Sequence, residues 1–375
     1  MNAPKLRFKE FNNLWQNEKL EDAVEFLDEK RKPIKDSDRN NIKGEYPYYG
    51  ASGIIDYIND YIFDEDLLLL GEDGANILSR STKLVFKATG KYWVNNHAHV
   101  LKPKENYNID FLESYLENIN YESYNTGTAQ PKLNQEVCKK INIKIPSLKE
   151  QEKIGKTLSL LDKKIELQAK KIEDLKLFKK GVIDYISKKI ETEKIPLKNI
   201  LVEQNYKTTK NNEYEILSST AKGIYLQKDY FNKQAASDNN IGYKILKKNQ
   251  LVLSPQNLWM GNININKEYN IGIVSPSYKV FNINDNIDIN FFNYWIKSAK
   301  ALYEYKISSE QGASIVRRNL NMDLFYEIVA DIPKGKWQNE IGKIIKLLDL
   351  KVQYNESSLQ KLLDLKKGLM QNMFV

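Results

Sequence analysis

The chain has 375 residues, 41% of them hydrophobic, a composition typical of folded proteins and unlike that of a disordered one. This length allows two or three domains. The net charge of +8 and the pI of about 9.0 favour a polyanionic partner such as nucleic acid, although lysine-rich helices and heavy use of Asn, Ile, Lys and Tyr would also produce that charge.

The cysteine content and the apolar runs indicate where the protein works. A single cysteine, Cys138, excludes a disulfide framework and fits a reducing cytosol. No apolar run approaches the ~18 residues that a membrane span needs, and the first eleven residues lack the apolar core of a signal peptide. We therefore expect a cytoplasmic protein without membrane contact.

Residues 1–146 show short strand patterns interrupted by turns, which predicts a mixed α/β domain. The predicted elements are a short helix or strand over 20–27, a buried strand and glycine-containing turn over 66–77, strands over 84–87 and 92–101, a helix over 109–119, a loop over 125–134 and a strand over 137–145.

The next segment, 147–190, has the apolar spacing of a coiled-coil helix. Apolar residues recur in steps of three and four at Ile154, Leu158, Leu161, Ile165, Ile172, Leu175, Val182 and Ile186. A helix of about 40 residues is ~60 Å long, which is typical of a coiled-coil spacer and unusual in a globular domain.

The chain then repeats this arrangement. Residues 191–333 carry a second set of strand patterns, including a strand into a turn over 250–263, a strand over 272–281, a helix over 289–303, a loop over 312–321 and a strand over 328–332. Residues 334–375 form a second long helix, which aligns without a gap on the first at an offset of 187. The order is domain, helix, domain, helix, and a repeat of this length indicates a duplicated unit.

One polar residue interrupts each apolar seam at the same position. These residues are Gln168 and Asn355, which are 187 apart. Buried polar residues in a seam fix the register of paired helices at some cost in stability, so we predict that both lie in the helix pairing. The alternative is a solvated interruption of the pattern.

The sequence lacks the motifs of the common catalytic and metal sites. It has no glycine-rich nucleotide turn and no P-loop, and Ser275-Pro276-Ser277-Tyr278 lacks the second proline of an adenine methyltransferase segment. His97 and His99 alternate on a predicted strand without further ligands, so we predict a structural role or a contact and no metal site. The carboxylates at 64–66, 72 and 73 are typical of solvated turns. We therefore predict no catalytic site, and favour a recognition protein.

Specific residues resemble those of a known family. The run Gly127-Thr128-Ala129-Gln130-Pro131-Lys132-Leu133-Asn134, followed by Glu150-Gln151 and Leu161-Asp162 in the first long helix, resembles the specificity subunit of type I restriction-modification systems. The second copy departs from this pattern, with Trp337-Gln338-Asn339-Glu340 replacing Glu-Gln and no Gln-Pro after Gly312.

This resemblance implies an α+β fold with an internal pseudo-two-fold repeat. Two similar target recognition domains, 1–146 and 191–333, would each read half of a bipartite DNA site, and the helices 147–190 and 334–375 would pair as an antiparallel coiled coil between them. It also implies double-stranded DNA, two modification subunits and, through those, restriction subunits as partners. The chain itself would be non-catalytic and without cofactor, since S-adenosylmethionine, ATP and Mg²⁺ would belong to the partners.

Loop residues that suit base or phosphate contacts are the candidates for DNA binding, because Asn and Gln pair with adenine while Arg and Lys pair with guanine. They are Ser52, Lys83, Gln130 and Lys132 in the first domain, and Ser219, Gln256, Asn257, Arg317 and Arg318 in the second. Two other functional classes remain, a free-standing DNA-modifying enzyme and a coiled-coil scaffold that binds only protein.

Overall fold

The structure, a computed structural model, describes residues 3–230, 239–311 and 318–375. The chain divides into two compact units. Unit 1 comprises Met1–Lys171 with Glu356–Val375, and unit 2 comprises Ile172–Asn355. Each unit therefore holds one of the repeated domains together with part of each long helix.

The first half of the chain contains ten described strands and five short helices before the first long helix. The strands are β1 (Gln16–Lys19), β2 (Val24–Phe26), β3 (Lys43–Gly50), β4 (Gly53–Ile58), β5 (Phe63–Asp64), β6 (Leu67–Gly71), β7 (Val85–Ala88), β8 (Lys91–Val94), β9 (Ala98–Pro103) and β10 (Asn142–Ile145). The helices are α1 (Leu20–Ala23), α2 (Asp36–Arg39), α3 (Asn76–Ser79), α4 (Ile109–Asn118) and α5 (Gln135–Lys139). The first long helix is α6 (Leu148–Lys189).

The second half has twelve described strands and four short helices before the second long helix. The strands are β11 (Thr192–Pro196), β12 (Leu201–Gln204), β13 (Leu217–Thr220), β14 (Gly223–Leu226), β15 (Lys244–Lys247), β16 (Leu251–Leu253), β17 (Ile263–Ile265), β18 (Ile271–Val274), β19 (Lys279–Ile283), β20 (Ser309–Gln311), β21 (Arg318–Leu320) and β22 (Val329–Pro333). The helices are α7 (Gln227–Tyr230), α8 (Ile289–Trp295), α9 (Ala299–Ile307), α10 (Met322–Glu327) and the second long helix, α11 (Trp337–Met373).

The centre of unit 1 is an antiparallel sheet in the order β2-β9-β6-β7. Its strand β6 carries four consecutive leucines, a pattern typical of a strand that is covered on both faces. Leu68 and Leu70 pack in the cluster that includes Phe111 of α4, whereas Leu67 and Leu69 pack in a second cluster on the other face. A further sheet, β4-β3-β8-β5, carries the long β3–β4 hairpin.

Unit 2 has the same core topology, with the sheet order β12-β19-β16-β17. In both units the strand that enters the domain pairs with the strand that leaves it. Gln16 of β1 lies opposite Ile145 of β10, and Thr192 of β11 lies opposite Pro333 of β22. Because the leaving strand runs directly into a long helix, each helix starts from the same place on its domain. The structure confirms the predicted α+β fold with a duplicated domain.

The long helices pair in an antiparallel manner within each unit. In unit 1, Ile154 and Leu158 of α6 share the core with Met373 of α11. In unit 2, Lys179 of α6 forms an ion pair with Asp349, and Ile183, further along α6, packs in the cluster of Ile341 and Ile345, earlier in α11. The pairing predicted from the apolar seams is therefore correct. No helix in the described part of the chain is both long and apolar enough to cross a membrane.

Four predicted elements were wrong. The strands expected over 92–101 and 272–281 are each two strands with a turn between them, β8 and β9 in unit 1 and β18 and β19 in unit 2. The helix expected over 289–303 is two helices, α8 and α9, because Ser298 caps a new helix by accepting a hydrogen bond from the Ala301 N–H at 3.2 Å. The strand expected over 137–145 begins as helix α5, and only Asn142–Ile145 is extended. Apolar spacing in such short segments does not distinguish helix from strand.

A glutamine on each long helix binds the start of one short helix of the adjoining domain, α4 in unit 1 and α8 in unit 2. Gln151 Oε1 accepts the Asn108 N–H at 2.9 Å, and its Nε2 donates to the Asn106 carbonyl at 3.3 Å. In unit 2, Gln338 accepts the Asp288 N–H and donates to the Asn286 carbonyl at 3.1 Å. Since 338 and 151 differ by 187, Gln338 has the same function as Gln151 despite its altered neighbours.

A glycine one turn later allows this close approach. A Cβ on Gly155 would lie 2.6 Å from Asn108 Oδ1, and one on Gly342, the equivalent residue, would overlap the Asp288 carboxylate. The glutamine and the glycine together fix how each domain sits on its own stretch of helix, which positions the loops of that domain.

Candidate nucleic-acid interface

In unit 1, the loop 125–134 is closed on itself by its own backbone and one asparagine. Asn125 Oδ1 accepts the N–H groups of Gly127 at 3.0 Å and Lys132 at 2.9 Å, and the Thr126 N–H donates to the Lys132 carbonyl at 2.8 Å. Gly127 lies so close to the Gln130 carbonyl that a Cβ would overlap it. The loop therefore projects the exposed Gln130 side chain from a constrained turn.

The base of this loop is tied to the end of β6. The Leu133 N–H donates to the Glu72 carbonyl at 2.7 Å, and the Gly74 N–H donates to the Pro131 carbonyl at 3.0 Å. Lys132 Nζ lies 3.3 Å from Glu72 Oε1, although the lysine remains nearly half exposed. Gln130 and Lys132 are thus brought together on one anchored surface loop.

A buried charge cluster lies beneath the loop. His99 is 1% exposed, with Nδ1 2.6 Å from Asp28 Oδ2 and Nε2 2.8 Å from the Leu133 carbonyl. Because both ring nitrogens face acceptors, both carry protons. Burial alone would lower the pKa of His99, but the Asp28 carboxylate outweighs it and raises that pKa. His99 therefore has the structural role that its strand position suggested.

Arg31 completes this cluster. Its Nη1 lies 2.7 Å from Glu72 Oε2, and its Nη2 lies 3.3 Å from Asp28 Oδ2. Ligand atoms of Asp28, Glu72 and His99 all lie within 4.8 Å of one another, the geometry of a metal site. However, Arg31 and Lys132 already neutralise these carboxylates, which fits an ion-pair network better than a cation site. The prediction that Glu72 is a solvated turn residue was wrong, because its side chain is mostly buried and forms ion pairs with Arg31 and Lys132.

The two other candidates of unit 1 have different surroundings. Ser52 is exposed at the turn between β3 and β4. Lys83 Nζ lies 3.2 Å from Glu113 of α4 and 3.1 Å from Asp162 of α6. Burial would lower the pKa of Lys83, but the two carboxylates outweigh it and raise that pKa. Lys83 thus joins the domain to the long helix in this structure.

In unit 2, Ser219 lies inside the domain. It is 3% exposed, its Oγ donates to Asn262 Oδ1 at 2.8 Å, and Asn264 Nδ2 donates to its Oγ at 2.7 Å. This burial argues against a direct DNA contact by Ser219. The sequence signal for the network was the alternation of asparagine with isoleucine over 262–266, which places Asn264 of β17 on the same side as Asn262 just before that strand.

Gln256 and Arg318 are brought together in unit 2. Gln256 is exposed, and its carbonyl accepts the Arg318 N–H at 3.3 Å. The Arg318 Nη2 donates to the Ser309 carbonyl at 2.7 Å, which holds the guanidinium along the β20–β21 pair. Asn257 is half-buried in the adjoining turn. Arg317 lies outside the described residues.

The predicted helix-pairing residues occupy seam positions of different exposure. Asn355 is 4% exposed, and its Nδ2 donates to the Lys351 carbonyl of its own helix at 2.7 Å. Gln168 is half-buried on α6. Their role in fixing register stays a prediction.

Comparisons with known proteins agree with this architecture. Residues 12–177 match the family model described as the type I restriction modification DNA specificity domain. A Haemophilus influenzae protein named as a type I restriction enzyme specificity subunit is 37% identical over 142 residues, which are 38% of this chain and 36% of that protein. The type I restriction enzyme MjaVIII specificity subunit of Methanocaldococcus jannaschii is 27% identical over 223 residues, 50% of this chain and 49% of the relative.

Each of these alignments therefore spans less than half of the curated relative. Among solved structures, the S subunit of a type I restriction-modification system from M. genitalium aligns with a TM-score of 0.68 over 100% of this chain and 99% of that one. Its sequence identity is 16%, so the likeness concerns the fold.

Proposed function

We propose that the chain is a specificity subunit of a type I restriction-modification system and that it recognises a bipartite DNA sequence, with one half-site for each domain. The match of residues 12–177 to the family model and the relative that is 37% identical over 142 residues support this assignment. The observation that carries this proposal is that the two units share their sheets and helix contacts but differ in the sequence of their loops. Both units have the same sheet order and the same glutamine contact to a long helix. Yet the anchored loop 125–134 of unit 1 corresponds to the β20–β21 region in unit 2, which has a different sequence.

The candidate contacts divide by chemistry. Gln130 and Gln256 are exposed amides, which suit the paired donor and acceptor of an adenine edge. Lys132, Arg318 and Arg317 would supply cations for phosphates or guanine. The net charge of +8 supports a polyanion as the ligand.

We infer the partners and cofactors from the resemblance to this family. We propose that two modification subunits dock on this chain and that restriction subunits join through them. S-adenosylmethionine, ATP and Mg²⁺ would bind those subunits, and this chain would contribute recognition without catalysis. Because the proposed substrate is double-stranded DNA, we propose that the complex acts in the cytoplasm.

Domain exchange tests this proposal. Residues 16–145 form a natural cassette, because β1 and β10 pair at its two ends. We expect a chimera that takes this cassette from a relative, assembled with the modification subunit, to methylate adenines at sites with one half changed and the other retained. Mapping methylated adenines in the host genome measures this directly.

The competing functions predict other outcomes. A protein-only scaffold would leave the methylated sequence unchanged after the exchange. A free-standing modifying enzyme would transfer methyl groups from S-adenosylmethionine without the modification subunit. A change in both half-sites would contradict the assignment of one domain to each half.

A further inference from the structure

The helix α4 of unit 1 has a counterpart in unit 2, α8, at an offset that differs from the 187 residues between the long helices. α4 begins after the cap Asn108 and α8 after the cap Asp288, so these helices are 180 residues apart. Their buried residues correspond at the same offset, as Phe111 does to Phe291. The exposed face of α4 can therefore be compared position by position with its counterpart in unit 2.

In unit 1 this face is acidic and is neutralised by the same unit. Each of its three carboxylates forms an ion pair with a base of the neighbouring β7 region. The pairs are Asp110 with Lys87 at 2.5 Å, Glu113 with Lys83 at 3.2 Å, and Glu117 with Arg80 at 2.7 Å. In unit 1, the carboxylates of α4 thus neutralise the basic side chains of the β7 region.

Unit 2 has lost all three carboxylates. The counterparts, 180 residues later, are Asn290, Asn293 and Lys297. The counterpart of Lys87 is still a lysine, Lys267, whose Nζ donates to Asn290 Oδ1 at 3.0 Å. A basic side chain is therefore retained where its acidic partner has become a neutral amide.

Lys297 is held by neutral groups alone among the described contacts. Its Nζ donates to the carbonyls of Gly261 at 2.7 Å and Ala221 at 3.2 Å. Within the described ranges, no carboxylate forms an ion pair with Lys297 or Lys267. Burial lowers the pKa of both, that of Lys297 to about 8, and for Lys267 it outweighs the opposing effect of the nearby Asp349 and Asp288 carboxylates.

These lysines line one cleft of about 500 Å³ between the domain and α11. Lys222 and Lys346 also line it, and its two carboxylates are Glu268, which is exposed, and Asp349, which is paired with Lys179. Asn293 is a further polar residue of the lining. Four lysines around one cleft favour a multiply charged anion.

We propose that the cleft of Lys267, Lys297 and Lys346 in unit 2 binds a phosphate group, in the place where unit 1 supplies its own carboxylates. Charge-assisted hydrogen bonds from lysine to phosphate oxygens are stronger than those between neutral groups. The bound anion would replace the counter-charges that the second domain has lost. This inference concerns an anion site and does not depend on the proposed recognition of DNA.

The test uses inorganic pyrophosphate as the probe, the full chain as the protein, and isothermal titration calorimetry at constant ionic strength. We expect one probe to bind per chain. The triple variant Asn290→Asp, Asn293→Glu and Lys297→Glu recreates the unit 1 residues and should weaken probe binding by at least about tenfold.

A second lysine of unit 2 provides the matched control. Lys300 has its own ion-pair partner, Asp331, and does not line the cleft. Lys300→Gln should bind the probe as the wild type does. If the triple variant does not fold, Lys297→Gln decides the question through the same tenfold criterion. No probe binding by the wild type, or equal binding by the cleft variants, overturns the proposal.

The source of the phosphate is decided by a second measurement. If the group belongs to a nucleic-acid backbone, Lys297→Gln should lower the slope of log K against log salt for duplex DNA by about one. If it belongs to a free phosphorylated molecule, this slope should be unchanged while pyrophosphate binding is lost.

Discussion

Lys366 of α11 forms an ion pair with Asp162 of α6, joining the two long helices within unit 1. Unit 2 repeats this contact with the roles of the helices exchanged, since Lys179 of α6 pairs with Asp349 of α11. Each lysine and each aspartate differs from its counterpart by 187. The duplicated sequence therefore encodes the same cross-helix pair twice.

Removing Asp162 should destabilise unit 1 more than removing Lys366, because Asp162 also binds Lys83 at 3.1 Å. The side chains of Lys366 and Asp162 are 20% and 31% exposed, so the pair contributes only ~0.2–1 kcal/mol. We expect Asp162→Asn to lower the free energy of urea unfolding by more than Lys366→Gln does. Equal effects would mean that Lys83 contributes nothing through Asp162.

The glycines of the long helices offer a matched set of substitutions. We expect Gly155→Ala and Gly342→Ala to cost ~1–3 kcal/mol, because the new Cβ meets the start of the domain helix. Gly181 and Gly368 have nothing within 4 Å of a built Cβ, so alanine there should stabilise the helix by up to ~1 kcal/mol. Thermal unfolding of the four variants measures both. If Gly181→Ala destabilised the protein, the close approach of the domain would not explain why the long helices contain glycine.

His99 should make the stability of unit 1 depend on pH. Its folded pKa is raised to about 10 from 6.5, so its contribution is complete below pH 6.5 and is lost as pH rises towards 10. His99→Gln should cost ~3–5 kcal/mol near pH 6, because it removes one of the two cations, His99 and Arg31, that hold the buried Asp28 carboxylate. This difference from the wild type should shrink at pH 9.

Urea unfolding at several pH values measures the His99 effect, and His97→Gln is its control because His97 is half exposed. Nitrogen chemical shifts of the His99 ring should also report two protonated nitrogens at neutral pH. A neutral His99 ring at pH 7 would contradict the assignment.

Gln130 and Ser219 should separate recognition from folding. Gln130→Ala removes an exposed amide, so it should leave stability unchanged and relax one base position by ~1–3 kcal/mol. Ser219→Ala breaks hydrogen bonds with Asn262 and Asn264 inside the domain and should cost ~1–3 kcal/mol of stability without altering the target. Methylation mapping with the modification subunit reads the target. An unchanged target with Gln130→Ala would remove Gln130 from the contacts.

The long helices should determine the spacing between half-sites. Inserting four residues beside Gln168 and four beside Asn355 adds about one turn, ~6 Å, to each helix and nearly preserves its apolar face. We expect the preferred spacer to lengthen by one or two base pairs, at ~3.4 Å per pair, while both half-sites stay the same. Methylation mapping of this variant decides the matter. An unchanged spacer would show that the helices do not measure the distance.

The repeat, the domain order and the long helices could be predicted from the sequence alone. Residues such as Ile154 and Leu158 recur with a period that follows from the helix itself, which needs only local backbone hydrogen bonds. The leucine run of β6 likewise indicated a strand covered on both faces. Gln151 was noticed as part of a family-like motif, but its contact with Asn108 was not predicted.

The partners of the polar side chains were decided only by the tertiary structure. Lys83, a predicted DNA contact, meets Glu113 and Asp162, which lie 30 and 79 residues away in sequence. Ser219 is buried because β17 brings Asn262 beside it. Helix and strand periods depend on neighbours in the chain, whereas the partner of a charged or amide group depends on which distant elements pack together. The sequence therefore determined the framework of this protein, and packing decided which of its polar residues remain free to bind.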